Sequence, residues 1–213
     1  MKLERQLNVE GVKRLLELSY DRIAPKYYRE RGSKGGWQLR ELKRFMRLLP
    51  PGGRVLDMGC GTGPVLKLLH KHGFRPTGID QSGKMAAYSR REAPQAKVFH
   101  RNMVRPGFRA GSFDGIVSLF AIIHVHHRDQ VEVFRQMRRL LKPGGAFLIN
   151  LGNETIREYV GEHCGEWMYW SGTSKAENLR RLRRAGFRIL RQQDLGPPGD
   201  RHTWILGVSG GHE

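Results

Sequence analysis

Cysteine is scarce in this sequence. Among 213 residues only Cys60 and Cys164 occur, and they stand far apart along the chain. Without a Cys-x-x-Cys pair there is no signature of a zinc ribbon or a redox centre, and two cysteines cannot form the multi-bridge framework of small secreted domains. We expect both to be reduced thiols in a fold that its hydrophobic core stabilises.

Long hydrophobic runs are absent as well. The longest apolar stretch, residues 115–125, contains Ser118 and His124 and is far shorter than the roughly 18–20 residues that span a bilayer. Charged and polar residues interrupt any apolar signal region in residues 1–7. The sequence therefore predicts no membrane segment and a cytoplasmic protein.

Acidic residues are few relative to basic ones. The chain has 38 Lys and Arg against 20 Asp and Glu, a formal net charge of +18. A basic surface concentrates polyanions, which makes nucleic acid a candidate partner. The basic residues also fall in several separated helical segments, which is typical of solvated helix faces. Composition alone leaves both interpretations open.

Length and periodicity indicate a single domain of the α/β class. Two helical patterns, at 11–19 and 39–49, precede a Pro-Pro-Gly-Gly break at 50–53. Beyond it, short apolar runs alternate with helical stretches, which predicts a doubly wound, mostly parallel sheet with helices on both faces. We expect a helical cap segment at 1–50 and a main domain at 51–213, with an aperiodic aromatic insertion at 152–173.

The predicted elements can be placed by their apolar patterns and turn residues. The strands are expected at 54–58, 76–79, 97–100, 114–119, 146–151, 188–192 and 203–208. The helices between them are expected at 64–72, 82–91, 130–141 and 174–185. Residues 142–145, Lys-Pro-Gly-Gly, are expected to form the turn before the fifth strand.

The sharpest local signal is a strand that runs into a three-glycine turn, Val55-Leu56-Asp57-Met58-Gly59-Cys60-Gly61-Thr62-Gly63-Pro64. Such turns bind ligands at the carboxyl ends of strands, where missing Cβ atoms let a ligand approach the backbone. The spacing does not fit a dinucleotide fingerprint, because the third glycine comes one residue early. A second glycine segment, 78–84, fits a phosphate loop until Met85 stands where Ser or Thr should bind magnesium.

Two carboxylates belong to the same βαβ unit. Asp57 precedes the glycine turn, and Asp80 ends the second predicted strand, where a carboxylate can accept both hydrogen bonds of a ribose diol. A ligand with an adenosine group and no pyrophosphate fits this pair. S-adenosylmethionine has that shape, with its ammonium near Asp57 and its ribose near Asp80. The alternative is that the carboxylates only cap a helix and a turn.

Several motifs together resemble the class I S-adenosylmethionine-dependent methyltransferases, over about residues 20–208. They are Asp57-Met58-Gly59-Cys60-Gly61-Thr62-Gly63, Gly78-Ile79-Asp80-Gln81-Ser82, Phe113-Asp114-Gly115-Ile116-Val117, Leu140-Leu141-Lys142-Pro143-Gly144-Gly145 and Ala185-Gly186-Phe187. The resemblance implies a Rossmann-like methyltransferase fold with a seven-stranded sheet whose last strand is antiparallel. It also implies S-adenosylmethionine as cofactor, S-adenosylhomocysteine as product, and methyl transfer as the activity.

The resemblance further implies individual site residues. The glycines would shape the methionine pocket, Asp80 would bind the ribose, and Asn102 stands where many relatives place an Asp on the adenine. Residues 20–28 resemble the segment that closes over the cofactor in small-molecule members, with ordinary helix packing as the alternative. The implied cofactor-binding set is Tyr20, Tyr28, Asp57, Gly59, Cys60, Gly61, Gly63, Asp80, Gln81, Asn102, Met103 and Leu119.

Histidines follow the fourth predicted strand. Methyl transfer from a sulfonium is an in-line displacement, so positioning can supply most of the catalysis. If the acceptor loses a proton, His124 is the candidate base by position, and a packing role is the alternative. No metal site is expected from His124, His126 and His127, because neither a His-Glu-x-x-His pattern nor a suitably spaced carboxylate accompanies them.

The acceptor pocket is expected to be aromatic. Phe120, Trp167, Tyr169 and Trp170 suit an apolar or planar small molecule, and could equally form a hydrophobic plug over the sheet. A small-molecule acceptor is the leading interpretation. The charge and the aromatics favour RNA methylation instead, although no Asn-Pro-Pro-Tyr type motif follows the fourth strand. A non-catalytic cofactor-binding domain is the third alternative.

Overall fold

The computed structural model describes residues 8–30, 36–197 and 200–210. Its helices are α1 Val9–Glu30, α2 Gly36–Met46, α3 Pro64–Lys71, α4 Gly83–Glu92, α5 Gln130–Leu140 and α6 Lys175–Arg184, with a short 3-10 helix at Ile122–His124. The interpretation of residues 1–7 lies outside the described residues.

The strands form two sheets. They are β1 Arg54–Met58, β2 Arg75–Asp80, β3 Lys97–His100, β4 Phe113–Ser118, β5 Leu141–Gly152, β6 Tyr159–His163, β7 Glu166–Trp170, β8 Phe187–Leu195 and β9 His202–Ser209. The main sheet has the order β3-β2-β1-β4-β5-β9-β8, with β1 to β5 parallel and β9 antiparallel to both of its neighbours. The predicted seven-stranded, mostly parallel sheet with an antiparallel last strand is confirmed.

The strand order reverses between β1 and β4, which lie side by side at the centre of the sheet. The chain leaves β1 toward β2 and β3, and later returns to β4 before moving on to β5. The connections at the carboxyl ends of β1 and β4 therefore diverge and leave a crevice, which is where ligands bind in open α/β sheets.

The insertion at 152–173 is a β-hairpin rather than an aperiodic segment. Strands β6 and β7 pair from Tyr159–Trp170 to His163–Glu166, and the two-residue turn between them has both residues at positive φ, Cys164 at 56° and Gly165 at 89°. That is the type I′ geometry whose twist matches a hairpin. Sequence reasoning missed it because Cys-Gly is not one of the usual Asn-Gly or Asp-Gly signals.

Residues 142–145 also differ from expectation. The predicted turn belongs to β5, which begins at Leu141 opposite Phe113 and resumes regular pairing at Ala146 opposite Gly115. The register shift between these two pairs is a bulge that takes up the extra residues, and Gly144 supplies its positive φ of 72°.

Helix α2 packs directly on the sheet. Phe45 is fully buried among sheet residues, and a Cβ on Gly115 in β4 would lie 2.7 Å from the Cζ atom of Phe45. The missing side chain at Gly115 therefore lets the helix approach the strand closely. The other face of the sheet is covered by α5 and α6 through Phe134, Met137 and Leu182. Helix α2 thus shares one hydrophobic core with the sheet.

Within the described ranges, no helix combines the length and the apolar character that a bilayer crossing demands.

Because Phe45 anchors α2 to the sheet, Phe45→Ala should lower the free energy of unfolding by about 3–5 kcal/mol. Leu48→Ala is the matched control, since Leu48 is 43% exposed and its truncation should cost about 0.5 kcal/mol or less. Urea unfolding followed by circular dichroism measures both. Equal effects of the two variants would contradict the shared core.

Candidate functional site

A pocket open to solvent lies at the carboxyl ends of β1, β2 and β4. It is therefore in the crevice that the strand order creates. Its lining residues are Tyr20, Tyr27, Gly59, Gly61, Asp80, Gln81, Met85, Arg101, Met103, Leu119, Phe120, Ala121, His124 and Val125. The structure thus brings eight of the expected site residues to one pocket: Tyr20, Gly59, Gly61, Asp80, Gln81, Met103, Leu119 and Phe120, together with the candidate base His124.

The glycine turn forms the floor of the pocket. Gly59 has a φ of 83°, and a Cβ at this position would lie 2.4 Å from the Cβ of Ala121. Any side chain here would both strain the backbone and collide with the loop after β4. The amides of Gly59 and Cys60 donate to the carbonyl of Ile79, which ties the turn to β2.

Asp80 connects the turn to the end of β2. Its Oδ2 accepts the amide hydrogen of Gly61 at 2.8 Å, and its Oδ1 accepts that of Ser82 at 2.9 Å. Burial raises the pKa of Asp80 above its ordinary value, while the two amides act in the opposite direction. Each carboxylate oxygen retains a second acceptor site, and the side chain borders the pocket.

Helix α1 is fastened over one side of the pocket by Asp21. Its Oδ1 accepts hydrogen bonds from the Ser82 hydroxyl at 2.5 Å and from the Lys84 amide at 3.0 Å. Tyr20 and Tyr27 line the pocket from this helix. Tyr28, which was expected to face the ligand, does not: it is 37% exposed, stacks on Tyr88 and donates to Glu92.

His124 has a fixed tautomer. Its Nδ1 lies 2.8 Å from the carbonyl oxygen of Tyr169, which can only accept, so Nδ1 carries the proton. Its Nε2 then accepts from the Tyr20 hydroxyl, 2.9 Å away. Burial lowers the pKa of His124 from 6.5 to about 4, and nearby His163 and His202 add to the effect. The ring is therefore neutral at physiological pH, and its basic nitrogen already has a partner.

The loop after β4 is strained at Phe120. This residue has a φ of 54°, which is costly for a side chain with a Cβ. The buried side chain of Asn150 holds it there, since Oδ1 accepts the Phe120 amide hydrogen at 2.6 Å. The Nδ2 of Asn150 has no hydrogen-bond partner among the described residues. Asn150 thus sets the backbone of a segment that lines the pocket.

Four expected cofactor residues lie behind the lining rather than in it. Asp57 is buried at the end of β1. Burial raises the pKa of the Cys60 thiol well above its usual value, and the negative charges of Asp80 and Asp57 add to the effect. The thiol lies 3.6 Å from the Ser89 hydroxyl, away from the pocket. Gly63 also faces Ser89. Asn102 donates to the Oε1 of Gln81 and so reaches the pocket only through that side chain.

The hairpin aromatics do not line the pocket. Trp167 is 51% exposed, and its carbonyl accepts from the Ser19 hydroxyl. Tyr169 is buried against α1 and orients His124 through its backbone. Trp170 lies with its ring centroid 5.6 Å from that of His124. Of the expected acceptor residues only Phe120 lines the pocket, and the hairpin supports the site from behind.

Some residues of the site were missed by sequence reasoning. They are Asp21, Tyr27, Met85, Arg101, Ala121, Val125 and Asn150. Asn150 had a sequence signal, because a lone amide in the apolar run 146–151 must find a hydrogen-bond partner. Asp21 had a weaker one, as an acidic residue within the segment 20–28.

Comparisons with known proteins match this chain to methyltransferases. A family model described as "Methyltransferase domain" matches residues 55–145. A probable tRNA methyltransferase 9B of Mus musculus is 32% identical over 142 residues, 66% of this chain and 30% of that protein. A ubiquinone biosynthesis O-methyltransferase of Xanthomonas axonopodis pv. citri is 32% identical over 114 residues, 51% of this chain and 47% of that protein. The chain spans less than half the length of these relatives.

A solved structure shows the same fold over nearly the whole chain. It is the Burkholderia thailandensis 1,6-didemethyltoxoflavin-N1-methyltransferase with bound 1,6-didemethyltoxoflavin and S-adenosylhomocysteine. The TM-score is 0.77 at 16% identity, covering 97% of this chain and 92% of that one.

The low pKa of His124 links folding to pH. Between its unfolded value of 6.5 and about 4, the unfolded chain binds the proton more tightly, so this contribution to stability is present above pH 6.5 and lost as the pH falls. We expect wild type to lose roughly 2 kcal/mol between pH 7 and pH 5 from this group.

Urea unfolding at several pH values measures this loss. His124→Gln should flatten the slope of unfolding free energy against pH, whereas His70→Gln, at an exposed position of α3, should keep the wild-type slope. An unchanged slope in His124→Gln would show that the imidazole is not held neutral by the fold.

Proposed function

We propose that this chain is a class I S-adenosylmethionine-dependent methyltransferase that transfers a methyl group from S-adenosylmethionine to a small-molecule acceptor. The observation that carries the proposal is the pocket at the point where the strand order reverses, lined by Gly59, Gly61 and Asp80. Bare backbone and a buried carboxylate meet there, at the carboxyl ends of adjacent parallel strands.

The residues present fit this cofactor. Asp80 keeps acceptor sites for a pair of ribose hydroxyls, and the negative charge of Asp57 lies behind the turn, where it attracts an ammonium group. Gln81, oriented by Asn102, and Met103 offer a polar and an apolar contact for the adenine. When bound, S-adenosylmethionine supplies a methyl carbon made electrophilic by the attached sulfonium.

The charge of the pocket also suits a cationic cofactor. His124 stays neutral at physiological pH and so does not repel a sulfonium. Arg101 is the lining residue with a permanent positive charge, and its guanidinium is held over the rings of Phe99 and Phe108 while it donates to the carbonyls of Pro106 and Gly107. These rings and carbonyls therefore hold the guanidinium of Arg101 in place.

We assign Tyr20 and His124 to positioning an acceptor rather than to general-base catalysis. A general base works best with a pKa near the operating pH, and His124 has a value of about 4. Tyr20 lines the pocket and donates its hydroxyl hydrogen to His124, so the two side chains together can orient an acceptor molecule there. In-line displacement needs this alignment more than it needs a strong base.

RNA is the second candidate acceptor. The net charge of +18 and the similarity to a probable tRNA methyltransferase favour it. Against it, many basic side chains already have structural partners. Arg180 and Arg181 pair with Glu177, and Arg138 and Arg139 donate to backbone carbonyls. The acceptor pocket is also bordered by α1, which suits a small molecule better than a polynucleotide.

Isothermal titration calorimetry with S-adenosylmethionine and S-adenosylhomocysteine tests the proposal. Wild type should bind both, and Asp80→Asn should weaken binding about 10- to 100-fold, the worth of hydrogen bonds to a charged group. Asp114→Asn is the control, because Asp114 lies near the amino end of β4, whereas the pocket lies at the carboxyl ends of the strands. Asp114 pairs there with Lys142. Absence of binding by folded wild type would overturn the proposed function. Equal affinity in the two variants would show that Asp80 does not bind the cofactor.

Salt dependence separates the two acceptor classes. Binding to RNA through phosphates weakens steeply as salt rises, by a factor set by the number of contacts. We expect a filter-binding assay with a tRNA to show no retention at physiological salt. Retention there, together with methylation of the tRNA, would replace the small-molecule proposal with the RNA one.

A further inference from the structure

Three candidate metal ligands converge beside the pocket. His126 and His127 follow the 3-10 helix in the loop after β4, and Glu158 immediately precedes β6 of the hairpin. Their ligand atoms all lie within 4.8 Å of one another. His126 is buried, and the other two side chains are half-buried. Residues from two separate parts of the chain therefore share one small volume.

The two distances from the Glu158 carboxylate suit a shared cation better than hydrogen bonds. The Oε1 of Glu158 lies 3.4 Å from the Nε2 of His126 and 3.3 Å from the Nδ1 of His127. Charge-assisted hydrogen bonds are shorter, about 2.7–2.9 Å. Ligands of a tetrahedral ion with bonds of about 2.0–2.1 Å stand roughly 3.3 Å apart. The Nδ1 of His127 is also buried without a hydrogen-bond partner among the described residues.

We propose that His126, His127 and Glu158 form a binding site for Zn²⁺ or a similar divalent transition metal. Two imidazoles and a carboxylate are ligands that zinc accepts, and a water molecule can complete a four-coordinate shell. No metal is expected here from the sequence alone, because no carboxylate is suitably spaced near the histidines. The fold brings Glu158 to them from the segment between β5 and β6. The proposal does not depend on methyl transfer.

Two neighbouring features limit the affinity of the site. The backbone amide of Arg128 donates a long hydrogen bond, 3.3 Å, to the Nδ1 of His126. If His126 binds a metal through Nε2, its Nδ1 carries the proton and can no longer accept, so this hydrogen bond is lost. Burial and the neighbouring His126 lower the pKa of His127, and the positive charges of Arg128 and Arg157 add to the effect. Both positive charges oppose a cation, so we expect weaker binding than at a structural zinc site with four protein ligands.

A bound cation would join the hairpin to the lining of the pocket. Val125, which lines the pocket, directly precedes His126, and its carbonyl already accepts from the Ser171 hydroxyl at the end of the hairpin. Glu158 lies at the same open end of that hairpin, immediately before β6, whose Tyr159 pairs with Trp170. The metal would therefore add a second link between the pocket loop and this end of the hairpin, next to the Tyr169 carbonyl that orients His124.

The test uses the full chain after dialysis against EDTA. Isothermal titration with Zn²⁺ should give one equivalent bound, and Co²⁺ should give a visible absorption band typical of a four-coordinate site. His127→Gln and Glu158→Gln should each weaken Zn²⁺ binding at least tenfold. Both side chains are half-buried, so the variants should fold, which circular dichroism checks.

The matched controls are His163→Gln and Glu162→Gln, in the same hairpin but outside the cluster. They should bind Zn²⁺ as wild type does. Failure of wild type to bind one equivalent, or equal affinity in His127→Gln, would overturn the proposal by showing that the histidines and Glu158 form only a polar contact. None of these readouts requires the cofactor or an acceptor, so they are separate from the test of the proposed function.

Discussion

The buried carboxylate of Asp80 is the interaction on which the pocket depends. It accepts one hydrogen bond from an amide of the glycine turn and one from an amide at the start of the segment after β2. The loops that follow β1 and β2 are therefore joined through a single carboxylate. A buried carboxylate is costly unless hydrogen bonds compensate it, and these amides do so. Ser82 then extends the network to Asp21, which holds α1 beside the pocket. The glycine turn, the end of β2 and helix α1 are thus linked through the side chains of Asp80, Ser82 and Asp21.

The loop after β4 borders the other side of the pocket, and different contacts hold it in place. Gly59 leaves room for Ala121, and the loop after β4 approaches the glycine turn so closely that no side chain fits between them. Next to Ala121, Phe120 has a left-handed backbone conformation, and the side-chain oxygen of Asn150 in β5 accepts its amide hydrogen. Strain at a pocket is kept only where the surrounding structure fixes it. Here the central strands of a rigid sheet do so.

The hairpin β6–β7 contributes through its backbone more than through its aromatic rings. The carbonyl of Tyr169 selects the tautomer of His124, and the nitrogen left without a proton receives the Tyr20 hydroxyl. Burial keeps the imidazole neutral, so His124 adds no positive charge to a pocket that Asp80 borders with a buried carboxylate.

By itself, the sequence determined the α/β class, the order of the strands and helices of the main sheet, and the glycine turn with Asp57 and Asp80, because each follows from local periodicity and spacing. It could not decide which of Tyr27 and Tyr28 faces the pocket, since the two are adjacent on one helix and only the packing of α1 fixes its rotation. Nor could it pair Asn150 with Phe120, or bring Glu158 to His126 and His127. These contacts join segments distant in sequence, and only the tertiary structure decides which of them meet.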